Sequence, residues 1–132
     1  MPTSASTTRE FEWRAEDFEL LGTDGKRHCL EDHRGASGTL VMFICNHCPY
    51  VKAVIDDVVS DCGALLGEGV NAVAIMPNDT KAYPDDSFDN MKRFAAAHRF
   101  SFPYLIDETQ DVARAYGAAC TPDFFGFDRD LK

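Results

Sequence analysis

Strand-like and helix-like segments alternate along this chain, and this alternation restricts its fold more than any other feature. Apolar runs predict strands at residues 39–44, 71–76, 102–106 and 123–128. Apolar residues at spacings of three and four predict helices at residues 51–66, 88–98 and 109–116. A hairpin precedes them, with arms at residues 18–21 and 26–30. The order of a hairpin followed by β-α-β-α-β-α-β predicts an α/β layered fold with a largely parallel sheet.

The length and charge of the chain limit its partners. Its 132 residues suffice for one domain whose core needs no disulfide staples. We predict a flexible tail at residues 1–10 and a single domain at residues 11–132. The formal net charge of −9 argues against nucleic acid and anionic membrane surfaces, which bind clustered Lys and Arg. Nor does any apolar run approach the ~20 residues of a membrane span. We therefore expect neither a nucleic-acid nor a membrane partner.

The N-terminal residues also bear on the cellular compartment. Residues 1–10 have neither the charged nor the apolar region of a signal peptide, so we expect a cytoplasmic protein. Cysteines in that reducing compartment are usually catalytic, metal-bound or simply buried. The chain has five cysteines, and this odd number disfavours a framework of structural disulfides.

The segment C-N-H-C-P at residues 45–49 connects a predicted buried strand to the helix that follows it. A helix N-terminus carries partial positive charge, which favours the thiolate form of a nearby cysteine. Two registers are open. In one, Cys45 is the exposed nucleophile and Cys48 the resolving thiol of an ordinary C-x-x-C pair. In the other, Pro49 is the first helical residue and Cys48 is the N-cap, with Cys45 at the end of the strand.

We prefer the second register, because it keeps Val51 and Ile55 on one continuous apolar face of the helix. In either register His47 adds a potential cation beside the sulfurs. That cation favours the thiolate and makes a disulfide more oxidising. Cys48, Cys45 and His47 are therefore the predicted catalytic residues.

Two other cysteines receive different interpretations. Cys62 falls on the apolar face of its predicted helix and is interpreted as a buried small hydrophobic residue. Cys120 directly precedes Thr121 and Pro122, which open the last predicted strand. If that end of the strand lies beside the first two sulfurs, Cys120 is a candidate resolving thiol.

Several segments together resemble the thioredoxin superfamily, and more closely its peroxiredoxin-like branch (redoxin, alkyl hydroperoxide reductase/thiol-specific antioxidant). They are the hairpin turn, F-I-C-N-H-C-P-Y-V-K at residues 43–52 and C-T-P-D-F-F at residues 120–125. The resemblance implies a thioredoxin-like fold, a cis proline at Pro122 and thiol redox chemistry that faces this proline. It also implies that Thr121 and Pro122 present backbone groups to the substrate.

Some residues depart from the patterns of these families. Cys48 fits the peroxiredoxin Cys-Pro motif, but Cys45 replaces the Thr or Ser found three residues earlier. No Arg occurs in residues 121–127, where peroxiredoxins place one. On the thioredoxin pattern, Thr39 stands where a buried carboxylate accepts a proton. These departures argue against true peroxidase activity.

The leading hypothesis is a thiol–disulfide oxidoreductase that needs no cofactor. Cys48 attacks a protein or small-molecule disulfide, Cys45 resolves the mixed disulfide, and a thiol electron donor restores the pair. One alternative is a weak thiol peroxidase, in which peroxide oxidises Cys48 to a sulfenic acid that condenses with Cys45 or Cys120. Another is a copper- or zinc-binding module that uses Cys45, Cys48, Cys120 and His47.

The C-terminal residues support one more expectation. The resembled family continues with a further edge strand and a C-terminal helix, so we expect this chain to be truncated. The apolar strand at residues 123–128 would then have an uncovered edge. Because such edges pair with other chains, self-association into a homo-oligomer is expected.

Overall fold

The computed structural model describes residues 15–46, 48–77, 84–118, 122–129 and 131. The strands in these ranges are β1 Glu19–Gly22, β2 Arg27–Cys29, β3 Gly38–Phe43, β4 Val70–Met76, β5 Tyr104–Ile106 and β6 Asp123–Asp128. The α-helices are α1 Pro49–Leu66, α2 Phe88–Ala97 and α3 Asp111–Tyr116. Short 3-10 turns lie at Leu30–His33 and Pro84–Asp86. The predicted α/β order is confirmed, and none of these helices is long and apolar enough to cross a bilayer.

The six strands form one sheet in the order β2-β1-β5-β4-β3-β6. The central pairs β3–β4 and β4–β5 are parallel, because α1 and α2 return the chain to the same end of the sheet. The pairs β1–β2, β1–β5 and β3–β6 are antiparallel. The expectation of a largely parallel sheet is therefore right only for the centre. Strand direction depends on how distant segments pair, and an apolar pattern does not reveal it.

Both faces of the central strands are buried, which explains their continuous apolar runs. Alternate residues of β3 enter two different cores. Met42, with Ile44 beyond the strand, packs with α1 and α2 on one face. Val41 and Phe43 pack with α3 and with residues 15 and 18 on the other face. β6 has the alternating pattern of an edge strand, because only Asp123, Phe125 and Phe127 are buried along it.

Helix α1 begins as the preferred register predicts. Cys48 is the N-cap residue, with extended backbone angles of φ −67° and ψ 124°, and Pro49 occupies the first turn. Val51, Ile55 and Cys62 are buried along one side of the helix. The helix start is therefore that of the preferred register, with Cys45 upstream of it.

Helix α3 starts two residues later than its sequence pattern predicts. Gln110 has a left-handed backbone, with φ 66°, so the helix begins only at Asp111. The buried carboxylate of Asp107 accepts a hydrogen bond from the Ala113 amide at 2.9 Å and so satisfies the helix start. Gly117, with φ 72°, ends the helix as predicted.

Candidate active site

Cys45 and Cys48 differ sharply in exposure. Cys45 follows β3 directly and is 1% exposed, within the core that β3 shares with α1 and α2. Cys48 is partly exposed and packs against the same core from the start of α1. Of these two cysteines, Cys48 is therefore the more accessible to solvent.

Cys48 lies at the N-terminal end of α1. The peptide dipoles of the 18-residue helix α1 add to a partial positive charge at its N-terminus, where the Cys48 sulfur lies. The first turn contains no acidic residue that would oppose this charge. The N-terminal end of α1 therefore carries partial positive charge that no acidic side chain of its first turn opposes.

The loop between the two cysteines is held by residues from distant parts of the chain. The backbone amide of Asn46 donates a hydrogen bond to Oδ1 of Asp86 at 2.8 Å. The Tyr104 hydroxyl donates a hydrogen bond to Oδ1 of Asn46 at 2.8 Å. Asp86 ends the 3-10 turn before α2, and Tyr104 begins β5. Two elements that precede and follow α2 thus meet at one loop residue.

This polar group lies in the interior. Asn46 is 6% exposed, Asp86 0% and Tyr104 1%. The Tyr104 ring packs at 5.3 Å from the Phe100 ring and 6.4 Å from the Phe94 ring, measured between centroids. Burial raises the pKa of the Tyr104 phenol well above its usual value, and the nearby charges of Asp86 and Cys45 raise it further. The phenol therefore remains a neutral hydrogen-bond donor close to Cys45.

The last strand begins beside the same loop. Asp123, the first residue of β6, pairs with Phe43 at the end of β3, two residues before Cys45. Pro122, which is partly exposed, precedes that pair. The structure therefore places Pro122 at the cysteine end of β3. His47, Cys120 and Thr121 lie outside the described residues, so their predicted roles stay predictions.

Two further thiols lie in less reactive surroundings. Burial, and then the charge of Asp61, raise the pKa of Cys62, which is 4% exposed. Its interpretation as a buried hydrophobic residue is confirmed. A hydrogen bond to the Asp32 carboxylate raises the pKa of Cys29. Both thiols are consequently poor nucleophiles near neutral pH.

Histidines form a separate polar cluster on the hairpin. Nδ1 of His28 lies 2.8 Å from Nε2 of His33, and Nε2 of His28 lies 3.0 Å from the Asp24 carboxylate. The described ranges contain no group of three or more His, Cys, Asp or Glu side chains arranged to hold a metal ion. The predicted metal alternative also uses His47 and Cys120, outside those ranges, so it remains a hypothesis.

No sequence motif marks Asn46, Asp86 and Tyr104 as parts of the site. Asn46 was visible between the two cysteines but had no assigned partner. Asp86 lies just before the predicted helix at residues 88–98, and Tyr104 lies within the predicted apolar strand at residues 102–106. The one available signal was chemical, because a buried tyrosine hydroxyl usually finds a hydrogen-bond partner.

The chain is similar to known proteins both in sequence and in fold. Residues 12–132 match the model of the AhpC/TSA family, which confirms the resemblance to the redoxin branch. The thioredoxin domain of a thiol-disulfide oxidoreductase from Bacteroides vulgatus superposes with a TM-score of 0.76 at 15% identity, over 95% of this chain and 86% of that chain. This similarity confirms the thioredoxin-like fold.

Two relatives have higher sequence identity. A solved structure of an uncharacterized conserved protein from Geobacillus kaustophilus is 50% identical, with a TM-score of 0.89, over 91% of this chain and 64% of that chain. Thiol-disulfide oxidoreductase ResA from Geobacillus thermodenitrificans is 28% identical over 125 residues, which are 89% of this chain and 63% of ResA. The chain thus spans less than two thirds of the length of either relative.

Proposed function

Because the chain belongs to the AhpC/TSA family, we propose that it is a thiol–disulfide oxidoreductase with Cys48 and Cys45 as its redox pair. One observation carries the proposal. A partly exposed cysteine occupies the N-cap of α1, and a buried cysteine lies three residues before it in the same core. The name of the relative ResA supports this class of reaction.

The difference in exposure assigns the two roles. The Cys48 thiolate attacks one sulfur of a partner disulfide, and the other partner sulfur leaves as a thiolate. Cys45 then loses its proton and attacks the Cys48 sulfur, which releases the partner's second thiolate. The partner disulfide has gained two electrons, and a Cys45–Cys48 disulfide has formed. An external thiol donor reduces this disulfide by the same exchange in reverse.

The substrate is a protein or small-molecule disulfide that docks at the N-terminal end of α1. Pro122, at the adjacent start of β6, would present backbone groups to this substrate. Thr121 would act with it, and His47 would favour the thiolate. A cytoplasmic location remains the expectation from sequence.

Insulin reduction with a dithiol donor tests the proposal. Cys48→Ser should abolish the activity, because it removes the attacking sulfur. Cys45→Ser should accumulate a mixed disulfide on Cys48, detectable by mass spectrometry, because nothing resolves it. Cys62→Ser is the matched control, since Cys62 lies in the same helix but is buried away from its start. It should keep the wild-type rate.

Retained activity in Cys48→Ser would refute the assigned nucleophile. A mixed disulfide that maps to Cys120 or Cys29 in the Cys45→Ser protein would refute the pair. Equal loss of activity in Cys62→Ser would indicate that cysteine removal acts through the fold.

Family membership also favours thiol peroxidase activity as a second candidate. In that reaction, peroxide would oxidise Cys48 to a sulfenic acid with release of water, and Cys45 or Cys120 would condense with it and release a second water. Against it, Cys45 stands at the position of the family's hydroxyl residue, and β6 has no Arg. Peroxide consumption that requires Cys48 and occurs at the rate of insulin reduction or faster would favour the peroxidase.

The metal-binding alternative has its own test. Stoichiometric zinc or copper(I) bound by the reduced protein, and lost in Cys48→Ser, would favour a binding module. We expect substoichiometric metal instead, because Cys45 is buried in an apolar core.

A further inference from the structure

We infer that Asn46, Asp86 and Tyr104 form a loop anchor, a buried group of positioning residues that holds the segment between the two sulfurs ready for exchange. The inference rests on the proposed function, because it concerns the step in which Cys45 attacks the Cys48 sulfur. All three residues are buried. They act through the backbone that carries the two cysteines.

The anchor holds the loop at its backbone and at its side chain. Asp86 accepts from the Asn46 amide and Tyr104 donates to the Asn46 carboxamide, so one residue of the loop has two independent attachments. These partners lie 40 and 58 residues further along the chain. Both belong to packed elements, the turn before α2 and the central strand β5. Asn46 is therefore attached to the interior of the protein through both its backbone and its side chain.

The burial of these groups makes the two hydrogen bonds effective. Asp86 and Tyr104 are almost completely excluded from solvent. Water cannot easily replace a hydrogen bond in such surroundings, and a broken one leaves a buried polar atom unsatisfied. These hydrogen bonds therefore strongly favour one position of Asn46 relative to Asp86 and Tyr104.

That conformation matters because disulfide formation is geometrically demanding. Two cysteines form a disulfide only when their Cα atoms lie within roughly 4.4–6.8 Å and the sulfurs take a suitable dihedral angle. Asn46 lies between them, so its attachment limits the positions that Cys45 and Cys48 adopt relative to each other. A loop held in this way raises the effective concentration of one sulfur at the other.

Tyr104 belongs to the same core as the buried Cys45. The Tyr104 hydroxyl reaches Asn46, the residue next to Cys45, and the charge of Cys45 is among the causes that raise the pKa of Tyr104. The phenol is neutral and donates its hydrogen bond to Asn46. Removing this hydroxyl should therefore affect the resolving step and not the first attack at the exposed Cys48.

The test uses Ellman's reagent, 5,5′-dithiobis(2-nitrobenzoate), on the whole chain. Attack by Cys48 releases one thionitrobenzoate and leaves the second on Cys48 as a mixed disulfide. Attack by Cys45 then forms the Cys45–Cys48 disulfide and releases the second thionitrobenzoate, with no net change in the number of disulfides. Substoichiometric reagent with rapid mixing resolves the two releases, and mass mapping identifies the disulfide.

We expect Tyr104→Phe to leave the first release unchanged and to slow the second about tenfold. The same loss of effective concentration should raise the midpoint potential of the pair by about 30 mV, the value for a tenfold change in a two-electron equilibrium. Tyr116→Phe is the matched control. Tyr116 is also fully buried, and its hydroxyl donates to the Glu16 carbonyl at 2.7 Å, but it lies in the other core. That variant should change the melting temperature and neither the second release nor the potential.

Asn46→Ala removes the same hydrogen bond from the loop side and tests the anchor even if Tyr104→Phe folds poorly. If the bond is responsible, the double variant should release the second thionitrobenzoate no more slowly than the slower single variant. Effects of the two substitutions that multiply, an unchanged second release, or an equal change in Tyr116→Phe would overturn the anchor. A wild-type protein that gives only the first release and no Cys45–Cys48 disulfide would overturn the proposed function and the anchor together.

Discussion

Cys45 and Cys48 lie close together in sequence but have different surroundings. Cys45 follows β3 and lies in the core, whereas Cys48 is the N-cap residue of α1 and packs against that core. Cys29 and Cys62 lie elsewhere, and a neighbouring carboxylate or burial disfavours the thiolate of each. Reactivity among the described thiols is thus decided by local access and charge.

These surroundings predict the order of alkylation by iodoacetamide. Cys48 should react first between pH 6 and 8, because it combines access with a helix N-terminus. Since their pKa values are raised, Cys29 and Cys62 should still be gaining about tenfold in rate per pH unit near pH 8. Peptide mass mapping of timed samples measures each rate.

The control for this prediction is Asp32→Asn. It removes the carboxylate whose hydrogen bond raises the pKa of Cys29, so Cys29 should react faster while Cys48 stays unchanged. Faster labelling of Cys45 than of Cys48 in the wild-type protein would contradict the assigned order.

Helix α2 ends in an arrangement that usually contains glycine. The backbone amide of Phe100 donates a hydrogen bond to the Ala95 carbonyl at 3.0 Å. The backbone amide of Arg99 donates one to the Ala96 carbonyl at 3.3 Å. The Phe100 and Phe94 rings pack 5.6 Å apart across this turn. This is a Schellman motif, and its left-handed position is occupied by Arg99 with φ 55°.

Arg99→Gly should therefore stabilise the protein. Relief of the left-handed strain is worth about 1–2 kcal/mol, and the greater freedom of unfolded glycine offsets about 0.5–1 kcal/mol of it. We expect a net gain of about 0.5–1 kcal/mol in the free energy of unfolding, measured by urea denaturation.

Arg93→Gly is the matched control in the same helix. Arg93 is exposed in the middle of α2, where glycine should cost about 1 kcal/mol. Substitutions that shift stability in the same direction at both positions would contradict the argument from backbone conformation.

Two cores cover the faces of the sheet, while β6 lies at its edge. Within the described ranges, β6 pairs only with β3. Phe124 projects from this strand with 42% of its surface exposed. Exposed apolar edge strands pair readily with other chains, so this edge is the expected surface for self-association.

Phe124→Lys should reduce that self-association, because a lysine on an edge strand opposes strand pairing by charge. Sedimentation velocity over a range of protein concentrations should show a dimer or larger species for the wild-type chain and more monomer for the variant. Leu66→Lys is the control, since Leu66 is 53% exposed but lies at the end of α1. A monomeric wild-type chain, or an equal effect of both substitutions, would contradict the prediction.

Much of the fold and part of the site could be predicted from the sequence, because those features depend on neighbouring residues. Pro49 determined where α1 begins and made Cys48 its N-cap. Gly117 determined where α3 ends, and the period of apolar residues distinguished helices from strands. Each of these signals acts over a few residues.

Other features of the fold and the site depend on contacts between distant segments of the chain. The antiparallel direction of β6 and the burial of Cys45 depend on which segments pack together. The contacts of Asn46 with Asp86 and Tyr104 join residues separated by 40 and 58 positions. A hydrogen bond between such distant groups leaves no period or spacing in the sequence, because the fold alone brings the donor within reach of its acceptor.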